Sequence, residues 1–194
     1  MESIYGNHLP EMEKNCEVLT EKLEEIRKRM TEKLGMDPVD HCLSRIKTED
    51  SMREKCRRKG FPETEESALE KIFDAVGIRV VCAFVDDVYT IRDELKKDPE
   101  IEIVQEKDYI RQAKPNGYRS LHLIVKMQNG LYAEIQLRTV SMDTWAALEH
   151  HVKYKKDIGE KEPLIVEELK RCADELASTD VSMQTIRNMI LGEI

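Results

Sequence analysis

The chain has 194 residues, of which 40% are hydrophobic, 5% aromatic and 36% charged, and its formal net charge is -8 at pH 7. A chain of this length normally folds as one compact domain that buries roughly 70% of its unfolded surface, so the core needs no covalent staples. The negative balance argues against broad attraction to DNA or to anionic membrane, and leaves room for a local basic site.

Met12, Cys16, Leu19, Leu23, Ile26, Met30 and Leu34 recur at steps of four and three, which predicts an amphipathic helix stopped by Gly35 and Asp37-Pro38. A second helix is expected from Val39 to Lys59, ending at Gly60 with Pro62 beyond it. Ile78 to Val85 reads as a buried strand, Val88 to Lys97 as a short helix closed by Asp98-Pro99, and Ile101 to Gln105 as a further strand. That order makes a helix crossover between strands, and the expected fold class is α/β, a mixed sheet flanked by helices. After a hairpin, Met142 to Lys155 reads as helix, with Trp145 and Leu148 as core. Ile165, Leu169, Cys172, Ala173 and Leu176 form another amphipathic stripe, followed by a last helix near Met183 to Ile190.

The five cysteines, Cys16, Cys42, Cys56, Cys82 and Cys172, lie far apart without C-x-x-C spacing, the pattern of reduced packing cysteines in a cytoplasmic protein. No apolar run approaches the roughly 20 residues of a membrane span, and the N-terminus lacks the basic-then-apolar order of a signal peptide.

The most informative stretch runs from Lys114 to His151. With Gln128, Asn129 and Gly130 as a three-residue loop, Leu121 opposes Leu137, Leu123 opposes Ile135, Val125 opposes Ala133 and Met127 opposes Leu131, all apolar. The other face then receives His122 opposite Gln136 and Ile124 opposite Glu134, with Arg138 further along. A two-residue Asn129-Gly130 turn would oppose Leu123 to Gln136 and Val125 to Glu134, so the longer loop, with Gly130 left-handed, is expected. One face is then core, and the other gathers titratable and amide groups that a solvated face has no need to assemble.

A basic run carries Arg45, Lys47, Arg53, Lys55, Arg57, Arg58 and Lys59. On a helix Lys55, Arg58 and Lys59 share a face suited to several oxygens of one polyphosphate, although such a run taken alone is more often a solvated face. A nucleic-acid patch fits less well, since interleaved aromatics are missing. Asp74 precedes the buried strand, and a carboxylate there, opposite Glu134, is a usual way to hold Mg²⁺ over phosphates. Singly, Asp74 is more often a cap, His122 a structural histidine and Tyr118 a half-buried loop aromatic.

Together these residues resemble a family. Ser44-Arg45-Ile46-Lys47, Lys55 with Arg58, Asp74 to Arg79, Lys114 to His122 and Glu134 to Thr139 stand in the order and near the spacings of RelA/SpoT-type (p)ppGpp synthetases, and the resemblance spans about residues 40 to 155. Met142 to His150 looks most like the single-domain branch, the small alarmone synthetases. The resemblance implies a nucleotidyltransferase-like synthetase fold, a single domain over 1–194 with a catalytic core at about 40–155, an N-terminal helix in 1–37 and C-terminal helices in 160–194. Nothing upstream resembles the metal-dependent hydrolase domain of long members, so synthesis without hydrolysis is expected.

It further implies pyrophosphate transfer from ATP to the ribose 3′-hydroxyl of GDP or GTP, with release of AMP and with Mg²⁺ as cofactor. Arg45 would flank adenine; Lys47, Lys55, Arg58 and Arg79 would hold the donor phosphates. Asp74 and Glu134 would bind the metal, with Glu134 also orienting or deprotonating the hydroxyl. Tyr118 would stack on guanine, and Lys114, Asn116, His122 and Gln136 would contact the acceptor nucleotide. Asp143, where some relatives carry asparagine, would present only acceptors to the guanine edge. Small synthetases of this kind are commonly tetramers, and the terminal amphipathic helices suggest a homo-oligomer. Two alternatives remain: the same transfer to an adenosine nucleotide or a tRNA 3′ end, and a catalytically inactive nucleotide-binding module.

Overall fold

The computed structural model describes residues 2–153 and 159–192. Five strands, β1 (Val39–Ile46), β2 (Val76–Cys82), β3 (Glu102–Asp108), β4 (Leu121–Lys126) and β5 (Tyr132–Thr139), form one sheet in the order β1-β2-β5-β4-β3. Only β2 and β5 pair in parallel; the other neighbours are antiparallel. Helix α3 (Val85–Leu95) carries the chain from β2 to β3 across the two intervening strands, the crossover expected from the sequence.

Alternation divides the sheet into two unlike faces. Val76, Ile78, Val80 and Cys82 of β2, Leu121, Leu123 and Val125 of β4, and Ala133, Ile135 and Leu137 of β5 are all buried in the core. Helix α1 (Leu9–Leu34) lays Met12, Leu19, Leu23, Ile26 and Met30 into the same core, with Cys16 and Leu34 at its margin. Its stripe is therefore covered within the chain. Gly35, at φ +68°, ends it as anticipated.

The hairpin has the expected register, Leu121 opposite Leu137 through Val125 opposite Ala133. Met127 N–H donates to Leu131 O at 2.9 Å, and Gly130 closes the three-residue loop at φ +85°.

Several elements differ from the sequence expectation. Val39 to Lys59 is not one helix: Val39–Ile46 is β1, paired with β2, and only Glu49–Lys59 is helical (α2). The overlooked signal is Thr48, whose hydroxyl accepts from Ser51 N–H as an N-cap ahead of the first-turn acids Glu49 and Asp50. Strand β2 stops at Cys82, three residues earlier than expected, because Val85 already opens α3. The two C-terminal helices are a single one, α5 (Glu162–Leu191), since no glycine or proline interrupts the chain between Pro163 and Gly192. Helix α4 covers Val140–Lys153; the expected end at Lys155 lies outside the described residues. Trp145 is buried as expected, whereas Leu148 is exposed, because α5 covers the Trp145 side of α4.

Helix α5 is held by polar anchors. Trp145 Nε1 donates to Leu169 O at 2.8 Å, Thr139 Oγ1 to Asp180 Oδ2 at 2.6 Å, and Arg187 Nη1 to Asp87 Oδ1 at 2.8 Å. Gly117, at φ +93°, passes so close beneath α5 that a Cβ there would lie 2.6 Å from Ala173 Cβ, so glycine is required.

Candidate active site

On the face of the sheet opposite the core, register aligns two rows of side chains across four strands. Arg45, Gly77, Glu134 and Ile124 form one row, and Leu43, Arg79, Gln136 and His122 the next. A cavity of about 290 Å³ opens over these rows, lined by Ser44, Arg45, Arg79, Asp74, Glu134 and Gln136 among others. That volume suits a small ligand or part of a larger one.

At one end, Asp74 Oδ2 accepts ion pairs from Lys47 Nζ at 2.7 Å and Lys55 Nζ at 2.5 Å. Lys47 follows β1 directly and its N–H donates to Ala75 O at 2.8 Å; Lys55 reaches in from α2. The second carboxylate oxygen, Asp74 Oδ1, is buried without a hydrogen-bond partner. Of the three cations expected to share a helix face, only Lys55 reaches the site, while Arg58 and Lys59 are exposed on the last turn of α2.

Glu134 stands at the centre of a polar network. Its Oε1 is 2.9 Å from His122 Nδ1, and its Oε2 accepts from Gln136 Nε2 at 2.7 Å. Burial pushes its carboxyl pKa up, but the hydrogen bonds of His122 and Gln136, helped by the charges of His122 and Lys55, outweigh it and hold the pKa at about 2. His122 Nε2 lies 2.8 Å from Tyr118 Oη. Arg138, only 4% exposed, donates to Tyr118 Oη at 2.6 Å, Gln136 Oε1 at 2.8 Å and Asp143 Oδ1 at 3.1 Å. Asp143 Oδ1 also pairs with Arg79 Nη1 at 3.3 Å, so one carboxylate links two guanidiniums. Burial, and next the charge of Arg138, lower the pKa of Arg79.

The segment between β3 and β4 brings the remaining residues. Asp108 Oδ1 accepts from the N–H groups of Ile110 and Arg111, and Arg119 Nη1 donates to Ile110 O at 2.9 Å, which folds this loop on itself. Asn116 Oδ1 accepts from Tyr118 N–H at 3.2 Å, and its Nδ2 faces Glu149 on α4, so it shapes the loop that presents Tyr118. Lys114 Nζ lies 4.6 Å from the ring centre of Tyr109 and 4.7 Å from that of Tyr118.

Asp74, Glu134, Arg45, Arg79 and Gln136 thus share the cavity, Lys47 and Lys55 flank it through Asp74, and Tyr118, His122 and Asp143 connect to it through the network. Asn116 stands one contact removed and Arg58 is exposed. Arg138 was expected on the polar face of the hairpin but was given no role, and Tyr109 was not among the expected site residues. The signal for Arg138 was its strand spacing, since residues 134, 136 and 138 share a face; nothing in the sequence marked Tyr109.

Residues 44–159 match the family described as the region found in RelA/SpoT proteins. The chain is 39% identical over 165 residues to the GTP pyrophosphokinase YwaC of Bacillus subtilis, covering 80% of this chain and 77% of that protein. It superimposes on the crystal structure of small alarmone synthetase 2 from Bacillus subtilis with a TM-score of 0.80 at 36% identity, covering 94% of this chain and 97% of that one. Small alarmone synthetase 1 from the same organism, crystallised with its product pppGpp, superimposes with a TM-score of 0.79 at 33% identity, covering 94% and 95%.

Proposed function

This chain belongs to the RelA/SpoT family, and from that premise we propose that it is a small alarmone synthetase, a GTP pyrophosphokinase that moves the β,γ-pyrophosphate of ATP to the ribose 3′-hydroxyl of GDP or GTP and releases AMP. The observation that carries the mechanism is the pairing of two carboxylates, Asp74 and Glu134, on one cavity with a cationic wall of Arg45 and Arg79 and with Lys47 and Lys55 behind Asp74.

The donor side is the basic end. Lys47 and Lys55 are held by Asp74 where triphosphate oxygens can take their remaining N–H groups, with Arg79 on the cavity that Asp74 lines and Arg58 exposed on the last turn of α2. Arg45, exposed on β1, flanks the adenine. On the acceptor side Tyr118 offers its ring to guanine, a stacking contact of roughly 1–3 kcal/mol. Lys114 moves from the tyrosine rings to the acceptor phosphates; His122, Gln136 and Asn116 position the ribose and the loop. Asp143 presents its free oxygen to the guanine edge while its Oδ1 stays between Arg79 and Arg138.

The residues fit a divalent cation. Asp74 Oδ1 is a buried anionic oxygen without a donor, and Glu134 borders the same cavity. Two carboxylates are a donor set Mg²⁺ takes when phosphates and waters complete its shell. When bound, Mg²⁺ offsets phosphate charge and lowers the pKa of the 3′-hydroxyl. Glu134 remains ionised throughout the neutral range, and its part is to orient that hydroxyl in line with the β-phosphorus and to accept its proton as the bond forms.

We place the synthetase core at about residues 40–155 of a single domain, with segment 160–194 serving assembly into a homotetramer in the cytoplasm; the stripe of α1, expected to share that part, is taken up by the chain's own core. What supports assembly is α5, where Val181, Met183, Ile186, Met189 and Ile190 are exposed. Among the described residues no helix is long and apolar enough to cross a membrane.

The test is to incubate the protein with β-labelled ATP, Mg²⁺ and GDP or GTP in turn and to separate the nucleotides. Label in the guanosine product together with AMP is expected. Label that stays in ATP with both acceptors overturns the proposal.

A further inference from the structure

The hydrogen bonds around Glu134 close into a ring that begins on one group and ends on one group, and from that topology we infer that Arg138 is a positioning residue for the transfer reaction: through Gln136 on one side and through Tyr118 and His122 on the other, it anchors both hydrogen bonds that hold the Glu134 carboxylate. The inference rests on Glu134 acting on the acceptor hydroxyl.

Arg138 Nη2 has two protons; one goes to Tyr118 Oη at 2.6 Å and the other to Gln136 Oε1 at 2.8 Å. A guanidinium has no acceptor and does not lose its charge, so neither bond can reverse. Along the first arm, Tyr118 Oη accepts from Arg138 and lies 2.8 Å from His122 Nε2, so the far side of the imidazole is held by an oxygen that Arg138 fixes in place. An ionised carboxylate only accepts, so His122 Nδ1 donates to Glu134 Oε1 at 2.9 Å. Along the second arm, the Gln136 amide presents oxygen to Arg138 and nitrogen to Glu134 Oε2 at 2.7 Å. The flipped amide would set donor against donor and acceptor against acceptor. Both arms therefore end on the two oxygens of one carboxylate, and each oxygen keeps a further lone pair for the reaction.

Arg138 is itself 4% exposed and held from behind by Ser120 Oγ at 3.3 Å and Asp143 Oδ1 at 3.1 Å. It acts through Tyr118, His122 and Gln136, without touching substrate. Lysine keeps the charge but lacks the planar fork that serves both arms at once.

The experiment compares crystal structures of the metal-free unsubstituted protein and of Arg138→Lys, with kinetics alongside. In Arg138→Lys at least one of the bonds from His122 Nδ1 and Gln136 Nε2 to Glu134 is expected to be lost, with the carboxylate turned from its place; Tyr118→Phe, which keeps the ring and removes one arm, is read in the same way should Arg138→Lys fail to fold. Alongside, kcat should fall roughly 10–100-fold in Arg138→Lys with the ATP KM unchanged, the scale of removing a group that orients an active-site ligand. A Glu134 carboxylate that keeps both bonds in the variant overturns the inference, and so does an unchanged kcat. Because the place of the carboxylate is read without turnover, absence of pyrophosphate transfer would sink the proposed function while leaving the ring intact.

Discussion

Replacing Asp74 with asparagine separates the structural part of this carboxylate from its chemical part. Asp74 Oδ2 sits 2.7 Å from Lys47 Nζ and 2.5 Å from Lys55 Nζ, and the side chains of Asp74, Lys47 and Lys55 are 16%, 16% and 21% exposed. Removing one partner from a fully buried ion pair costs about 3–5 kcal/mol, because the remaining charge is left without compensation. Partial exposure screens these ammoniums, so about 2 kcal/mol is the expected loss. For a domain of this size that corresponds to a Tm lowered by about 4–8 °C. The two lysines then lie beside each other with no anion between them, and the triphosphate of ATP supplies one. ATP without metal should therefore protect Asp74→Asn more than the unsubstituted protein, each tenfold gain in affinity adding about 1.4 kcal/mol. Turnover should be lost even where ATP binds more tightly, since the anionic carboxylate left for a cation is gone. The assay is thermal unfolding in chelator over a titration of ATP, followed by AMP release with Mg²⁺. An unchanged Tm, or equal protection of both proteins by ATP, would refute the view that Asp74 restrains the donor lysines.

Glu134→Gln should abolish transfer and leave ATP affinity within about threefold, measured by AMP release and calorimetry; a parallel loss of binding would make Glu134 structural. The same residue should shape acid stability. Its pKa of about 2 lies below the ordinary 4.5, so its contribution is complete above pH 4.5 and disappears as pH falls towards 2. Denaturant unfolding of the metal-free protein should lose about 3 kcal/mol over that window through this group, and Glu134→Gln should flatten the slope. Tyr118→Ala should raise the acceptor KM roughly 10–100-fold through lost stacking and leave the ATP KM near its original value; unchanged acceptor kinetics would remove the stacking assignment. Arg187→Met leaves Asp87, 2% exposed, without its partner, and should destabilise by about 3–5 kcal/mol in thermal unfolding, whereas a neutral effect would mean that α5 is held chiefly by its apolar contacts.

The strongest expectations from sequence concerned the hairpin, because a two-fold alternation leaves only one register that keeps Leu121, Leu123 and Val125 together with Ala133, Ile135 and Leu137. The α1 stripe was legible for the same reason, with a 3.6-residue period instead. Strand β1 was hidden. Val39 to Ile46 mixes His41, Ser44 and Arg45 with only a few apolar residues, and as an edge strand it gains its structure from hydrogen bonds to β2, a distant segment that no local pattern announces. Local propensity joined it to the helix that follows. Only Thr48, read as a cap, would have separated the two.

The site divides along a similar line. Glu134, Gln136, Arg79 and Arg45 converge because sheet register sets them side by side, with Asp74 just ahead of β2, and register can be reasoned from alternation once the pairing of strands is known. The arrangement of Arg138 could not be reasoned in that way. Its place at the origin of both arms depends on a loop returning Tyr118 from the edge of the sheet and on α4 delivering Asp143 from the other side, and both are fixed by tertiary contacts such as Gly117 against Ala173 and Trp145 against Leu169. A cationic side chain buried at 4% exposure is sustained only if its donors are answered, and here the groups that answer them are those that orient the reacting carboxylate. Satisfying that burial and aligning Glu134 are thus one structural requirement, so a substitution that unsettles either should be read in both stability and turnover.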